Sequence, residues 1–428
     1  MEVINLSKDK GKVGASISLA EDIIFNVLAR LPAKVLCWFR CVCKGWFWWA
    51  HKTTMEAINL GKGTSGAGVS LPEDIIFDVL ARLPAKVLCR FRCVSKGWRA
   101  LISGEAFIAA QKSRAAPVIV GVFSSQDMVS KFELRVMDMD GSILRVFKDV
   151  TMSLAPTRLD DLICVYRTWC AAMVIEPANG RVLAVDEFTD PNPNTPMSSF
   201  KLYGFGRAAP SGAYKLVRVQ EPFDNHGHRL CEIATINGNC SEVTWRQRPV
   251  PPVSIYQYGD SKATINGILY FMASSTSQGQ PRVAAFNLES EEWTETIDGP
   301  TMGPRKDRES LFYALAELKA TLNMVQTVYY PHQDGYDMSM AIHIWLLIDS
   351  KKSIWVKQYM IQMPEILPQV QALNVLGDGR ILLLNNKGEC GPYILQFYDP
   401  STEALTDFME MPNEFDGDMA FYTGSFLY

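Results

Sequence analysis

The chain has only five histidines in 428 residues, and its 42 basic and 46 acidic side chains nearly cancel to a formal charge of −4. A balance so close to neutral gives no global electrostatic case for nucleic acid or for an anionic membrane as partner. Scarce histidine leaves little material for metal ligation or for proton transfer near neutral pH. Ten cysteines fall far below the density of a disulfide scaffold. The opening MEVINLSKDKGKVG lacks the basic-then-apolar order of a secretory signal. Reduced thiols and an intracellular location, cytoplasmic and/or nuclear, are therefore expected. No apolar run approaches the ~20 residues of a membrane span, and the most apolar stretch, Val35 to Ala50, is broken by Arg40 and Lys44. Without a secretory route, the sequon Asn239-Cys240-Ser241 is idle.

What is present is ordinary for a soluble globular chain: 48% hydrophobic and 21% charged residues. The length gives a prior of two or three domains. The ordinary average hides a tandem duplication. Ser18–Trp46 reads SLAEDIIFNVLARLPAKVLCWFRCVCKGW and Ser70–Trp98 reads SLPEDIIFDVLARLPAKVLCRFRCVSKGW, with 25 of 29 positions identical. The exceptions are Ala20/Pro72, Asn26/Asp78, Trp38/Arg90 and Cys43/Ser95. Upstream, Met1-Glu2-Val3-Ile4-Asn5-Leu6 returns as Met55-Glu56-Ala57-Ile58-Asn59-Leu60. Two copies make a duplicated module, since a solenoid would continue.

The second copy is written as a set of short helices. Ser70 caps, Pro72 sits in the first turn where a missing N–H costs nothing, and Glu73-Asp74 complement the dipole. Ile76, Leu80 and Leu83 then recur at helical spacing, and Pro84 ends that helix and opens the next, with Val87, Leu88 and Phe91 on its apolar face. Further segments run from about Val94 to Ile102 and from Glu105 to about Ser113. Helices this short are marginal alone, so their apolar faces need each other or a partner.

The ordered set Leu71-Pro72, Leu83-Pro84 and Phe91-Arg92-Cys93-Val94-Ser95-Lys96-Gly97-Trp98-Arg99 resembles an F-box, covering Ser70 to about Arg114. In that family the motif docks a substrate receptor onto the Skp-type adaptor of a cullin ubiquitin ligase. The resemblance implies that Leu71, Pro72, Ile76, Leu80, Leu83, Pro84, Val87 and Leu88 face the adaptor and that Trp98 packs the bundle. Taken singly, each would read as an ordinary core residue. Copy one departs from the pattern: Ala20 breaks the first Leu-Pro pair, and after Trp46 the chain reads FWWAHKTT instead of RALISGEAFIAAQ, so the closing helix is missing. Copy two is expected to be the working site. Copy one is either a decaying duplicate or a spare helix pair with exposed Trp48 and Trp49.

Other motifs are weaker. Gly61-x-Gly63-x-x-Gly66 matches a dinucleotide fingerprint in letters only, because its flanks are a copied leader and a Gly-Ser stretch that read as a linker. Cys37, Cys41, Cys43 and His51 lack the paired spacing of a zinc site and read as small buried apolar thiols. Lys86, Arg90, Arg92, Lys96 and Arg99 read as a solvated basic face, and His226 and His228 as loop residues. No metal, cofactor or catalytic set is expected.

From Pro117 the periodicity turns to alternation broken by turns. Pro117–Phe123 is a compact strand; hairpins are expected around residues 139–142, 177–180, 289–292, 349–353, 377–379 and 399–402. A serial antiparallel array must hide its edges, and a propeller does so by radial repetition. At ~40–50 residues per blade this stretch holds six or seven blades, with Ala420–Tyr428 closing the ring against Pro117–Phe123. A two-sheet sandwich is the alternative. Phe200-Lys201-Leu202-Tyr203-Gly204-Phe205-Gly206 with Gly212–Arg218, then Ile265–Phe271, Phe286…Glu292-Trp293, and Ile344-Trp345 with Trp355-Val356-Lys357, resemble in order the β-propeller domain associated with plant F-box proteins.

The expected fold is α+β multidomain: residues 1–54 a degenerate first F-box copy with its leader, 55–69 a linker, 70–114 the F-box, and 117–428 an all-β, propeller-like domain. The resemblance implies a non-enzymatic substrate receptor that joins a Skp-type adaptor, and through it a cullin ligase, to an unspecified target protein. A propeller enzyme or sugar-binding lectin with a helical leader is the rival reading; it would need convergent carboxylates, histidines or a metal in a pocket.

Overall fold

The computed structural model describes residues 77–78, 80–81, 83, 88–89, 91–93, 96–114, 118–125, 132–150, 153–154, 158–159, 161–167, 171–186, 199–222, 228–236, 243–256, 262–273, 280–301, 310–331, 338–388, 391–422 and 424. Two compact units separate between Ala115 and Ala116. The first contains the helices α1 (Lys96–Ile102) and α2 (Glu105–Arg114); the second is all β.

The β unit is a six-bladed propeller. Blade 1 runs Phe415–Tyr422, Val118–Ser124, Phe132–Met137, Ile143–Val150, and blade 2 runs Ser153–Leu154, Ile163–Arg167, Ala171–Glu176, Arg181–Asp186. Blade 3 comprises Ser199–Arg207, Tyr214–Pro222, Leu230–Ile236 and Trp245–Arg248. Blade 4 comprises Lys262–Ile265, Ile268–Met272 and Arg282–Asn287, the last flanked by both Glu292–Trp293 and Ile297–Asp298. Blade 5 (Ser310–Leu318, Thr321–Pro331, Met338–Asp349, Ile354–Met363) and blade 6 (Gln369–Val375, Ile381–Asn386, Tyr393–Asp399, Ala404–Glu410) are regular four-stranded meanders.

The ring closes as the sequence suggests, with Val118 opposite Tyr422, Ile119 opposite Phe421 and Val120 opposite Ala420. The closing strand differs in extent: it is Phe415–Tyr422 rather than Ala420–Tyr428. The outer edge of blade 4 consists of two short pieces, Glu292–Trp293 and Ile297–Asp298, that share one neighbour, Arg282–Asn287. Six sheets in radial sequence leave no place for a sandwich.

Each strand serves two cores at once. Along Ile381-Leu382-Leu383-Leu384, the odd members pack with Val325, Ile342 and Ile361 of blade 5, and the even members with Phe123, Phe415 and Met419 of blade 1. In blade 3, Phe200 and Leu202 join Phe271 and Phe286 of blade 4, whereas Tyr203 and Phe205 join Cys164 and Val174 of blade 2. A period of two divided between two neighbours produces continuous apolar runs instead of alternation.

The turns carry the local code. Asn266-Gly267, with φ of 50° and 79°, joins the first two strands of blade 4 as a type I′ pair. Blade 5 makes the same turn from Lys319-Ala320, at φ 53° and 57°, without a glycine. The third-to-fourth strand turns share another form. The side-chain oxygens of Asn287, Asp349 and Asp399 each accept a backbone N–H two residues on. The residue four positions after each is left-handed: Glu291 (φ 59°), Ser353 (φ 52°) and Glu403 (φ 55°). Blade 2 places a glycine at this left-handed position, Gly180 at φ 82°.

Candidate docking sites

The helical unit is built around Leu80, Ala81, Leu83, Leu88, Phe91, Ile102 and Phe107, all buried, with Phe77, Trp98, Leu101 and Ile108 packed on its edge. A helical turn runs into Ala81, whose N–H donates to Phe77 O at 2.9 Å, and Leu83 N–H donates to Leu80 O at 2.9 Å. Ser103-Gly104 breaks α1 from α2, and Phe107 and Ile108 N–H both return to Gly104 O at 3.0 Å. Two edge-on ring pairs lock the layers, Phe77 on Phe107 and Phe91 on Trp98, each at 5.2 Å between centroids.

Of the residues expected to face the adaptor, Leu80, Leu83 and Leu88 lie among the described ones. Leu80 and Leu83 are each 3% exposed and Leu88 is 0% exposed, so they form the module's own core. The reason is helical spacing: they share a face with Phe91 that is closed by Ile102 and Phe107. Leu71, Pro72, Ile76, Pro84 and Val87 lie outside the described residues, as do Cys37, Cys41, Cys43, His51, His226 and the Gly61–Gly66 motif. Trp98 packs the bundle edge as expected.

The thiol reading also changes. Cys89 and Cys93 are exposed, because they follow the inward Leu88 by one and five positions and so fall on the outer face. They line an open groove of about 590 Å³ with Arg92, Lys96, Arg99, Ala100 and Ser103. Lys96 and Arg99 are exposed, as the sequence suggests, and Arg92 is half-buried; Lys86 and Arg90 lie outside the described residues. Cys164 and Cys231 lie inside the propeller, where burial pushes both thiols up to about 12 and leaves them inert as nucleophiles.

The propeller's polar interior binds blade to blade. Glu291, in the blade 4 turn, accepts Lys215 Nζ at 2.9 Å and Arg246 Nη2 at 2.6 Å, and pairs with Arg248; all three cations belong to blade 3. Burial alone would raise this carboxyl, but the hydrogen bonds from Lys215, Arg248 and Arg246 outweigh it and hold the group below its usual range. Trp293 Nε1 donates to Pro249 O at 2.8 Å and Trp355 Nε1 to Asp298 O at 2.8 Å, so each outer-strand tryptophan grips the preceding blade. His343 Nδ1 faces Gln326 Oε1 at 3.1 Å, and the same oxygen accepts Trp345 Nε1 at 3.1 Å. Burial, reinforced by Lys357, drives the imidazole down to about 4, so it stays neutral at physiological pH. Among the described residues no group of three His, Cys, Asp or Glu is placed to hold a metal ion, and no helix is long and apolar enough to cross a membrane. On the propeller surface Phe312 stands 59% exposed. Its ring meets Tyr329 edge-on at 5.8 Å, and Tyr329 is itself held by its hydroxyl on Leu367 O at 2.9 Å.

A small helical module with a buried apolar core is thus followed in the chain by a six-bladed ring of sheets. Comparison with known proteins gives the same division. The profile of the F-box associated beta propeller domain matches residues 119–416, and the F-box domain profile matches residues 17–47 and 69–108. The chain belongs to the plant F-box proteins that carry an F-box associated β-propeller. Two similar relatives are F-box proteins of Arabidopsis thaliana. One is 24% identical over 371 residues, covering 78% of this chain and 72% of its own length. The other is 23% identical over 358 residues, covering 78% and 83%. Among solved structures, the six-bladed fungal lectin of Aleuria aurantia aligns over 70% of this chain and 96% of its own, at 11% identity and a TM-score of 0.36. That likeness is too distant to bear on ligand or activity.

The hairpin Ser199–Arg207/Tyr214–Pro222 carries the strongest of the propeller resemblances, with Tyr203 opposite Arg218 and Phe205 opposite Leu216. The hairpins expected at 289–292, 349–353 and 399–402 are these Asx-headed turns, with Asn287, Asp349 and Asp399 each five positions before the next strand starts. Their left-handed residues, Glu291, Ser353 and Glu403, stand where glycine would have announced them.

Proposed function

We propose that this chain is the substrate-recognition subunit of a Skp–cullin–F-box ubiquitin ligase, acting in the cytoplasm and/or nucleus. Its helical module docks a Skp-type adaptor, and its propeller holds a target protein. It does no chemistry itself: by holding the target beside the ubiquitin-charged partner it raises the effective concentration of the reacting groups. The observation that carries this reading is the order of parts, an F-box with a closed apolar core leading directly into the propeller associated with it. The test is binding of the full-length chain to a purified Skp-type adaptor. Wild type binds, and Ile102→Asp, which places a charge at a position 0% exposed, abolishes binding while the propeller keeps its β signature. A wild-type chain that leaves the adaptor free refutes the reading.

A further inference from the structure

The duplicated segment repeats, in sequence, most of the residues that fill the core of the helical unit. Of the seven buried residues, Leu80, Ala81, Leu83, Leu88 and Phe91 come from the repeated stretch, and Ile102 and Phe107 come from α1 and α2. Copy one repeats the first five without change, as Leu28, Ala29, Leu31, Leu36 and Phe39, and repeats Phe77 as Phe25. It has no equivalent of the other two: Ala50 falls where Ile102 stands and Met55 where Phe107 stands. The F-box profile shows the same truncation, ending at residue 47 in copy one and at 108 in copy two. Two near-identical stretches are therefore accompanied in the sequence by a single closing segment.

We propose that residues 18–41 are an alternative occupant of the apolar face of α1 and α2, seating there in place of residues 70–93. Only one F-box core is complete at a time, and copy one is a reserve. The side chains that would meet Ile102 and Phe107 are the same in both copies, so packing scarcely distinguishes them. Tether length does. Residues 92–95 join the resident segment to α1, whereas copy one must close the loop spanning residues 40–95. Closure entropy grows as three halves of the logarithm of loop length, which handicaps copy one on the order of 50-fold. Copy two holds the site in the native chain, and copy one takes it when copy two is damaged.

Hydrogen exchange of the α1 and α2 amides tests this in the full-length chain without reference to any adaptor. Leu31→Asp leaves protection unchanged. Leu83→Asp places an unpaired carboxylate at a position 3% exposed and unseats copy two; protection then falls on the order of 50-fold but persists. Leu31→Asp with Leu83→Asp removes the remainder. If Leu83→Asp alone exposes α1 and α2 as fully as the double variant, the proposal is wrong, whatever the adaptor does. A second readout covers general damage from the aspartate. With Phe25→Cys, Phe107→Cys and Leu83→Asp combined, an intramolecular disulfide forms between positions 25 and 107; its absence under oxidation also overturns the proposal.

Discussion

Glu291 offers the sharpest test of how the ring is held. Its carboxylate side chain is 11% exposed and Lys215 opposite is 10% exposed, while Arg246 and Arg248 are 40% and 31% exposed. Glu291→Gln leaves Lys215 buried with Leu288 O, at 2.5 Å, as its remaining acceptor. Breaking a buried pair in this way costs about 3–5 kcal/mol, whereas the two more exposed arginines each contribute about 1 kcal/mol or less. With an unfolding entropy of ~2.1 cal/mol/K per residue over a propeller of ~300 residues, that loss lowers the melting temperature by roughly 5–8 °C. Glu403→Gly is the control: Glu403 occupies the equivalent left-handed turn position at φ 55° and is exposed. There glycine gains about 1 kcal/mol of backbone relief. Thermal melts followed by circular dichroism at pH 7 should move in opposite directions for the two variants. The pH dependence has a definite sign. Because the folded carboxyl is held below its usual range, its contribution is complete above the ordinary carboxylate pKa and is lost as pH falls through the lowered value. Glu291→Gln and wild type should therefore converge in acid. A Glu291→Gln chain melting within about 1 °C of wild type at pH 7 would refute the reasoning.

Other outcomes follow from the propeller interior. His343 is buried neutral, down at about 4 from an ordinary 6.5, so its contribution is present above the ordinary value and drains away as pH falls toward the lowered one. Between pH 7 and 4.5 it removes ~2.5 kcal/mol, and His343→Gln should shrink the acid loss in urea unfolding by that amount; an unchanged loss contradicts the assignment. Replacing Lys319-Ala320, both left-handed, by Asn-Gly relieves two strained positions and should stabilise by ~1–2 kcal/mol. A melt that does not rise would show that the blade 5 turn carries no such strain.

Much of the ring is legible in the sequence because strand alternation and turn chemistry are local. Asn266-Gly267 announces its hairpin, and Pro117–Phe123 reads as a strand whether or not its partner is known. The blade count follows from length but stays between six and seven, since Glu292–Trp293 and Ile297–Asp298 share one neighbour and blur the spacing. The Glu291 clasp is not legible: Lys215, Arg246 and Arg248 lie far from it in the chain, and only blade stacking brings them together. In the helical unit the family motif locates the module, but its letters alone do not show that Leu80, Leu83 and Leu88 pack together. Their burial depends on Ile102 and Phe107, which lie beyond the motif's most recognisable letters. The same dependence gives the duplication its meaning, because copy one has the letters without the two residues that close the core.

The account rests most directly on the encounter between the helical module and an adaptor. In sedimentation of the full-length chain with an excess of purified Skp-type adaptor, the account predicts one adaptor bound per chain, and none bound by Ile102→Asp. Free adaptor beside the wild-type chain, or binding undiminished by Ile102→Asp, would contradict it.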